Sequence, residues 1–228
     1  MFPIRDTIRS RSFPLVNLAL IAVNVLVFLF QASLSQQGFM RIIQVYGLVP
    51  AHISLSRPVE FFTVFSSMFM HGSWFHLISN MWTLYIFGDN VEDRMGSFRY
   101  LVFYLLAGSI AAATHVIFAP NLQQPTVGAS GAVAGVLGAY FLLFPNSRVV
   151  TFIPIFFLPW FVQIPAFIYL GIWFLSQLAN GVMLNQAMSG IAWWAHIGGF
   201  ITGLVLVRAF ARPERVDVTF HQGDYWPG

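Results

Sequence analysis

Apolar residues along this chain gather into long runs, and polar positions are largely confined to the gaps between them. Six runs read as membrane-crossing segments: Leu15 to Leu34, Trp74 to Gly88, Phe98 to Phe118, Val127 to Phe144, Trp160 to Ala179 and Ile191 to Phe210. Several approach or exceed the roughly 20 residues with which an α-helix crosses about 30 Å of hydrocarbon. Membrane β-barrels instead show short alternating segments. The expected fold class is an all-α polytopic membrane protein, a bundle of six transmembrane helices.

The connections predict the rest of the organisation. Those after the third and fourth spans are short. The segment from Ser35 to Ser73 is long and mixes Gly and Pro with apolar clusters such as Phe61-Phe62-Thr63-Val64-Phe65, so it is expected to be folded and partly embedded in the membrane. The division that follows is a short N-terminal tail (1–12), a membrane domain (13–211) and a short C-terminal tail (212–228), the tails being too short to fold alone. The first run follows Arg5, Arg9 and Arg11, and no small-residue cleavage site comes after it, so it is expected to be an anchor.

Composition agrees with this pattern: 57% hydrophobic and 8% charged residues lie far from the range of soluble domains. All 11 basic residues are Arg. With six spans, Arg5, Arg9, Arg11, Arg94, Arg99, Arg148, Arg208, Arg212 and Arg215 fall on one side, and Arg41 and Arg57 on the other. The positive-inside rule then puts both termini in the cytoplasm, and this asymmetry accounts for the net charge of +3 without nucleic acid. The absence of cysteine excludes disulfides and thiol chemistry.

Two patches set a reactive side chain among small residues: Gly128-Ala129-Ser130-Gly131 and Ala195-His196-Ile197-Gly198-Gly199. The fourth and sixth spans run in the same direction, so Ser130 and His196 fall at similar depth on the extracytoplasmic side. Gly131 and Gly135 on one helix, and Ala195, Gly199 and Gly203 on the other, permit close backbone approach. Ser and Gly are common packing residues in membrane helices, whereas an ionisable ring in a span is a functional candidate by default. A third cluster, His71 to Asn80, strengthens the functional reading. Ser73 can cap the second span, and His76 and Asn80 then share one face at i and i+4. Side-chain donors at that depth suit the oxyanion of an acyl-transfer intermediate.

Taken together, these motifs resemble the rhomboid family of intramembrane serine proteases: His-Gly-x-x-x-His-x-x-x-Asn at 71–80, Glu92-x-Arg94-x-Gly96, Gly128-x-Ser130-Gly131, and Ala195-His196-x-Gly198-Gly199 with Gly203. The resemblance implies a Ser130–His196 dyad with no acidic third member. The oxyanion would be held by the backbone N–H of Ser130 and the side chains of His76 and Asn80, with His71, Gly128, Gly131 and Gly199 in support. It also implies a mobile cap over Asn180 to Gly190. The substrate would be the transmembrane helix of another protein, cut near its extracytoplasmic end through an acyl-enzyme, with activity falling as acid protonates His196. The chain departs from the pattern at Ala134, where many members place an aromatic residue against the catalytic ring; either Trp193 or Trp194 holds His196 instead, or the ring is held more loosely.

No cofactor and no metal are expected, since the chain has no His-Glu-x-x-His motif. The expected partners are transmembrane substrates and the lipid bilayer, and the expected location is a cell membrane of the bacterial inner-membrane type. His115 reads as a packing or interface residue, and Glu92 and Arg94 as ligands of loop backbone. The rival reading is a non-enzymatic relative that binds transmembrane segments for trafficking or quality control.

Overall fold

The computed structural model describes residues 2–155, 158–184 and 190–213. Strand β1 (Phe2–Asp6) is followed by helix α1 (Leu15–Ala32), then by α2 (Gln36–Tyr46), a series of 3₁₀ turns and the short α3 (Thr63–Ser66). Helices α4 (Trp74–Met95), α5 (Ser97–Phe118) and α6 (Ser130–Leu143) come next. Strands β2 (Arg148–Ile155) and β3 (Leu158–Pro165) then precede α7 (Ala166–Met183) and α8 (Trp193–Phe210).

The molecule is a mainly helical membrane protein. Helices α1, α5, α7 and α8 are long and apolar enough to cross a bilayer, and α6 is equally apolar but has 14 residues. Helix α4 has 22 residues, with Asp89, Glu92, Asp93 and Arg94 in its last two turns. Large apolar side chains such as Leu26, Phe75, Ile78 and Val205 point outward, as expected for surfaces bathed by lipid.

Two expectations about secondary structure are corrected. The fold is not all-α: β1, β2 and β3 form an antiparallel sheet in that order, with Phe2 opposite Phe152 and Phe152 opposite Phe161. Residues 160–165 therefore belong to a strand, and the fifth long helix begins at Ala166. The physical reason is proline. Pro154, Pro159 and Pro165 interrupt the apolar run and are incompatible with a helix interior, whereas the β-branched and aromatic residues around them favour a strand. The N-terminal residues are likewise tied to the bundle, where Trp82 Nε1 donates to Pro3 O at 2.7 Å.

Helix α6 stands at the centre. Every residue from Gly131 to Tyr140 is buried, because α4, α5 and α8 pack around it. A Cβ at Gly199 or Gly203 would collide with the carbonyl oxygen of Gly131 or Gly135, and one at Gly138 with that of Phe200, so α6 and α8 meet backbone to backbone. Helix α1 turns Asn17, Leu20, Asn24, Phe28 and Gln31 inward. Asn17 joins Leu84 O and the Tyr100 hydroxyl, and the Gln31 amide brackets the backbone of His71. Glu92 accepts from the N–H groups of Val16 and Asn17, at 3.0 and 2.7 Å, and from the Ser97 hydroxyl. It thus binds the start of α1, where a carboxylate complements the helix dipole, instead of a loop.

The segment from Ser35 to Ser73 is folded, as expected. Its Leu48 exchanges both backbone hydrogen bonds with Thr126, which fixes the approach to α6. The region expected to form a cap begins as helix, since α7 continues through Met183; residues 185–189 lie outside the described residues.

Candidate active site

Ser130 is the first residue of α6. Gly128 delivers the chain to this helix with φ of 132°, a conformation that favours glycine, and its N–H donates to Ser67 O at 2.9 Å. Among the described residues no side chain caps α6, so its first N–H groups and the positive end of its dipole lie beside Ser130. Ser130 also borders a pocket of about 30 Å³, shared with His115, Thr126 and Ala195.

His196 lies in the first turn of α8. A Cβ on Gly131 would sit 3.8 Å from both the Cβ and the carbonyl oxygen of Ala195, so Ser130, just before Gly131, and His196, just after Ala195, adjoin residues that face each other across the two helices. Among the described residues no hydrogen bond joins Ser130 to His196. Catalytic hydrogen bonds are often long before substrate binds.

The imidazole is oriented by a residue the sequence reading did not single out. Gln177 Oε1 lies 2.8 Å from His196 Nδ1. The amide orientation is set by the other end of the group, where Nε2 donates to Trp173 O at 3.2 Å and to Ser176 Oγ at 3.0 Å. Oε1 is therefore the atom turned to the ring and Nδ1 carries the proton, which leaves Nε2 with a lone pair. The ring is framed by Trp173 and Trp193, each with its centroid at 6.1 Å. Of the two tryptophans expected to hold His196, Trp193 contributes, whereas Trp194 stacks on Phe118 at 4.2 Å.

His76 and Asn80 project from α4 toward the entrance of α6. A Cβ at Gly128 would lie 2.6 Å from Nε2 of His76 and 3.7 Å from Nδ2 of Asn80. Asn80 is buried, and its Nδ2 has no hydrogen-bond partner among the described residues. Ser73 caps α4 as expected, accepting from the N–H of His76 at 3.2 Å. His71 is fully buried with its ring edge-on to His76 at 5.1 Å, and its hydrogen bonds to Gln31 run through its backbone. Glycine fits the close contact of α6 with α5 at 131, where a Cβ would lie 2.8 Å from the Cβ of Ala111, and that of α8 with α6 at 199, where it would strike the Gly131 carbonyl. His115 is buried, and its Nε2 lies 3.0 Å from the Thr126 hydroxyl.

The fold and these residues define a class: a helical membrane protein that presents a serine at a helix N-terminus, an oriented histidine on the facing helix and an amide donor beside them. Comparison with known proteins agrees. Residues 58–213 match the Rhomboid domain, and the chain belongs to the rhomboid family. It is 29% identical over 198 residues to Rhomboid protein 1, mitochondrial, of Saccharomyces cerevisiae, covering 82% of this chain and 51% of that one. It is 30% identical over 187 residues to the human Presenilin-associated rhomboid-like protein, mitochondrial, with coverage of 81% and 45%. For Rhomboid-like protein 11, chloroplastic, of Arabidopsis thaliana the figures are 29% over 175 residues, with 72% and 57% covered. The chain thus spans about half the length of the curated relatives it matches.

Proposed function

We propose that this protein is an intramembrane serine endopeptidase that cleaves transmembrane helices of other membrane proteins near their extracytoplasmic end. The observation that carries this reading is the hydrogen bond from His196 Nδ1 to Gln177, which leaves Nε2 as a base on the helix packed against Ser130.

Ser130 Oγ attacks the scissile carbonyl carbon while His196 Nε2 takes its proton. The oxyanion is stabilised by the Ser130 N–H at the open end of α6 and by donors from His76 and Asn80. Collapse breaks the peptide C–N bond as His196 returns the proton to the leaving amine. Water then attacks the acyl-enzyme, giving its proton to His196, and the Ser130 hydroxyl is restored with release of the new carboxylate. The scissile segment must be extended, because an intact helix holds its carbonyls in i to i−4 hydrogen bonds.

In this reading α4 and α6 also cross the membrane, for six spans in all. Helix α6, about 21 Å long, places Ser130 below the outer surface. Both termini are then cytoplasmic and the site opens to the opposite side, an orientation that the arginine distribution supports. We place the protein in a cell membrane; the relatives carry mitochondrial or chloroplastic names.

The test is cleavage of a single-span substrate with a small residue near its outer boundary, by purified wild type and Ser130→Ala in liposomes. Cleavage by the wild type alone is expected. Equal cleavage by Ser130→Ala would remove the serine mechanism, and no cleavage by either folded protein would favour the non-enzymatic binding role.

A further inference from the structure

At the end of the bundle opposite Ser130, where α6 finishes at Leu143, lies a pocket of about 680 Å³. It is bounded by the N-terminal arm, the α4–α5 turn and the residues after α8. Arg9, Arg11, Arg94 and Arg212 line it, together with one carboxylate among the described lining residues, Asp93.

Among the described residues, the carboxylates of Asp93 and Glu92 are already engaged. Asp93 Oδ1 accepts from both the N–H and the hydroxyl of Ser12, at 3.0 and 2.5 Å, and Glu92 is taken up by the start of α1 and by Ser97. Arg94 and Arg212 are held by contacts of another kind. Arg94 lies over the Phe144 ring at 5.9 Å, and its carbonyl accepts from the Arg212 N–H at 2.8 Å. The Arg212 guanidinium occupies the space where a Cβ on Gly96 would stand, so it rests on the turn that opens α5. Among the described residues that helix, which starts at Ser97, has no side-chain cap, and its first N–H groups add their dipole to the same region.

Several guanidinium groups and an uncapped helix start, drawn from three separate segments, form a receptor for a multiply bonded oxyanion. Planar guanidinium groups match phosphate oxygens in paired hydrogen bonds. The border of the pocket identifies the source of the phosphate. Phe98, in its lining, is 78% exposed, and Phe13, next to Ser12, is 72% exposed. Aromatic rings turned outward beside a basic pocket suit a headgroup whose glycerol and chains continue into the bilayer, whereas free phosphate would gain nothing from them. We propose that this pocket binds the phosphate group of an anionic membrane lipid and thereby clamps the N-terminal arm to the α4–α5 turn and the end of α8.

The test uses the full chain purified in a neutral detergent, with native mass spectrometry and the thermal unfolding midpoint as readouts, and it needs no proteolysis. Short-chain phosphatidylglycerol is expected to be retained and to raise the midpoint, and phosphatidylcholine at the same concentration to do neither. Arg9→Gln combined with Arg212→Gln is expected to weaken phosphatidylglycerol binding about tenfold. Arg41→Gln combined with Arg57→Gln, an equal change of charge away from the pocket, is expected to leave it unchanged. If the first pair does not fold, Arg94→Gln alone serves and is expected to weaken binding in the same direction. Equal binding by wild type and the pocket variants would overturn the site. Inorganic phosphate matching phosphatidylglycerol in the midpoint shift would overturn the lipid assignment.

Discussion

The side-chain oxygen of Gln177 lies 2.8 Å from Nδ1 of His196 and joins α7 to α8 at the level of the candidate nucleophile. Gln177 acts through the histidine, so it is a positioning residue. Gln177→Leu is expected to lower kcat about tenfold, the worth of one neutral hydrogen bond, with KM little changed. Gln177→Glu retains an acceptor at the same place and should recover most of the rate. Steady-state kinetics on a single-span substrate separates this from a structural defect, which would reduce the folded fraction of both variants.

His76 and Asn80 converge on Gly128 from α4, and the Asn80 amide has no partner among the described residues. His76→Ala and Asn80→Ala should each reduce kcat by about 10²-fold or more while leaving measurable turnover. Ser130→Ala should leave none. A chromogenic or fluorescent single-span substrate, followed at saturating concentration, gives the comparison directly.

Two glycines on membrane helices make a contrasting pair. A side chain at Gly199 would strike the Gly131 carbonyl, whereas at Gly171 the first neighbour is 4.0 Å away, at Phe141. Gly199→Val should destabilise the protein by about 1–3 kcal/mol or more through overpacking. Gly171→Ala should be neutral or slightly stabilising, since alanine favours the helix. Unfolding midpoints in one detergent rank the two.

Asp6 sits in β1, where its carboxylate accepts from the Tyr140 hydroxyl and Asn90 Nδ2. Burial, with Asp89 nearby, pushes it up from 3.8 to about 6. The folded protein therefore binds this proton more tightly than the unfolded chain. Its contribution to stability is fully present below about pH 4 and is lost as pH rises through about 6. Asp6→Asn should raise the unfolding midpoint at pH 7.5 relative to wild type and change it less at pH 4.5. Melting both proteins at the two pH values measures the difference.

How much of this could be read from the chain depended on whether the signal was local. The approach to Ser130, the cap at Ser73 and the i, i+4 pair of His76 and Asn80 rest on neighbouring residues, and the helices stand close to where the apolar runs placed them. The β2–β3 hairpin was missed because a continuous apolar run has no period by which a strand differs from a buried helix; the regular prolines at 154, 159 and 165 were the available sign. Gln177 escaped notice because an amide in an apolar segment gains its meaning from a ring 19 positions away, across two helices. Asp6 depended on contacts with Asn90 and Tyr140, still farther along the chain.

The inward row of Asn17, Asn24 and Gln31 on α1 bears on how the protein assembles. Inserted alone, this helix would hold three amides in oil, where water cannot bind them, while its apolar flanks would be content with lipid. Association of α1 with its neighbours in the bilayer is therefore favoured through those amides and their packing, with little gain from sequestering greasy surface. Replacing the row with leucine would make a segment that enters the membrane more readily and recognises its own bundle less well.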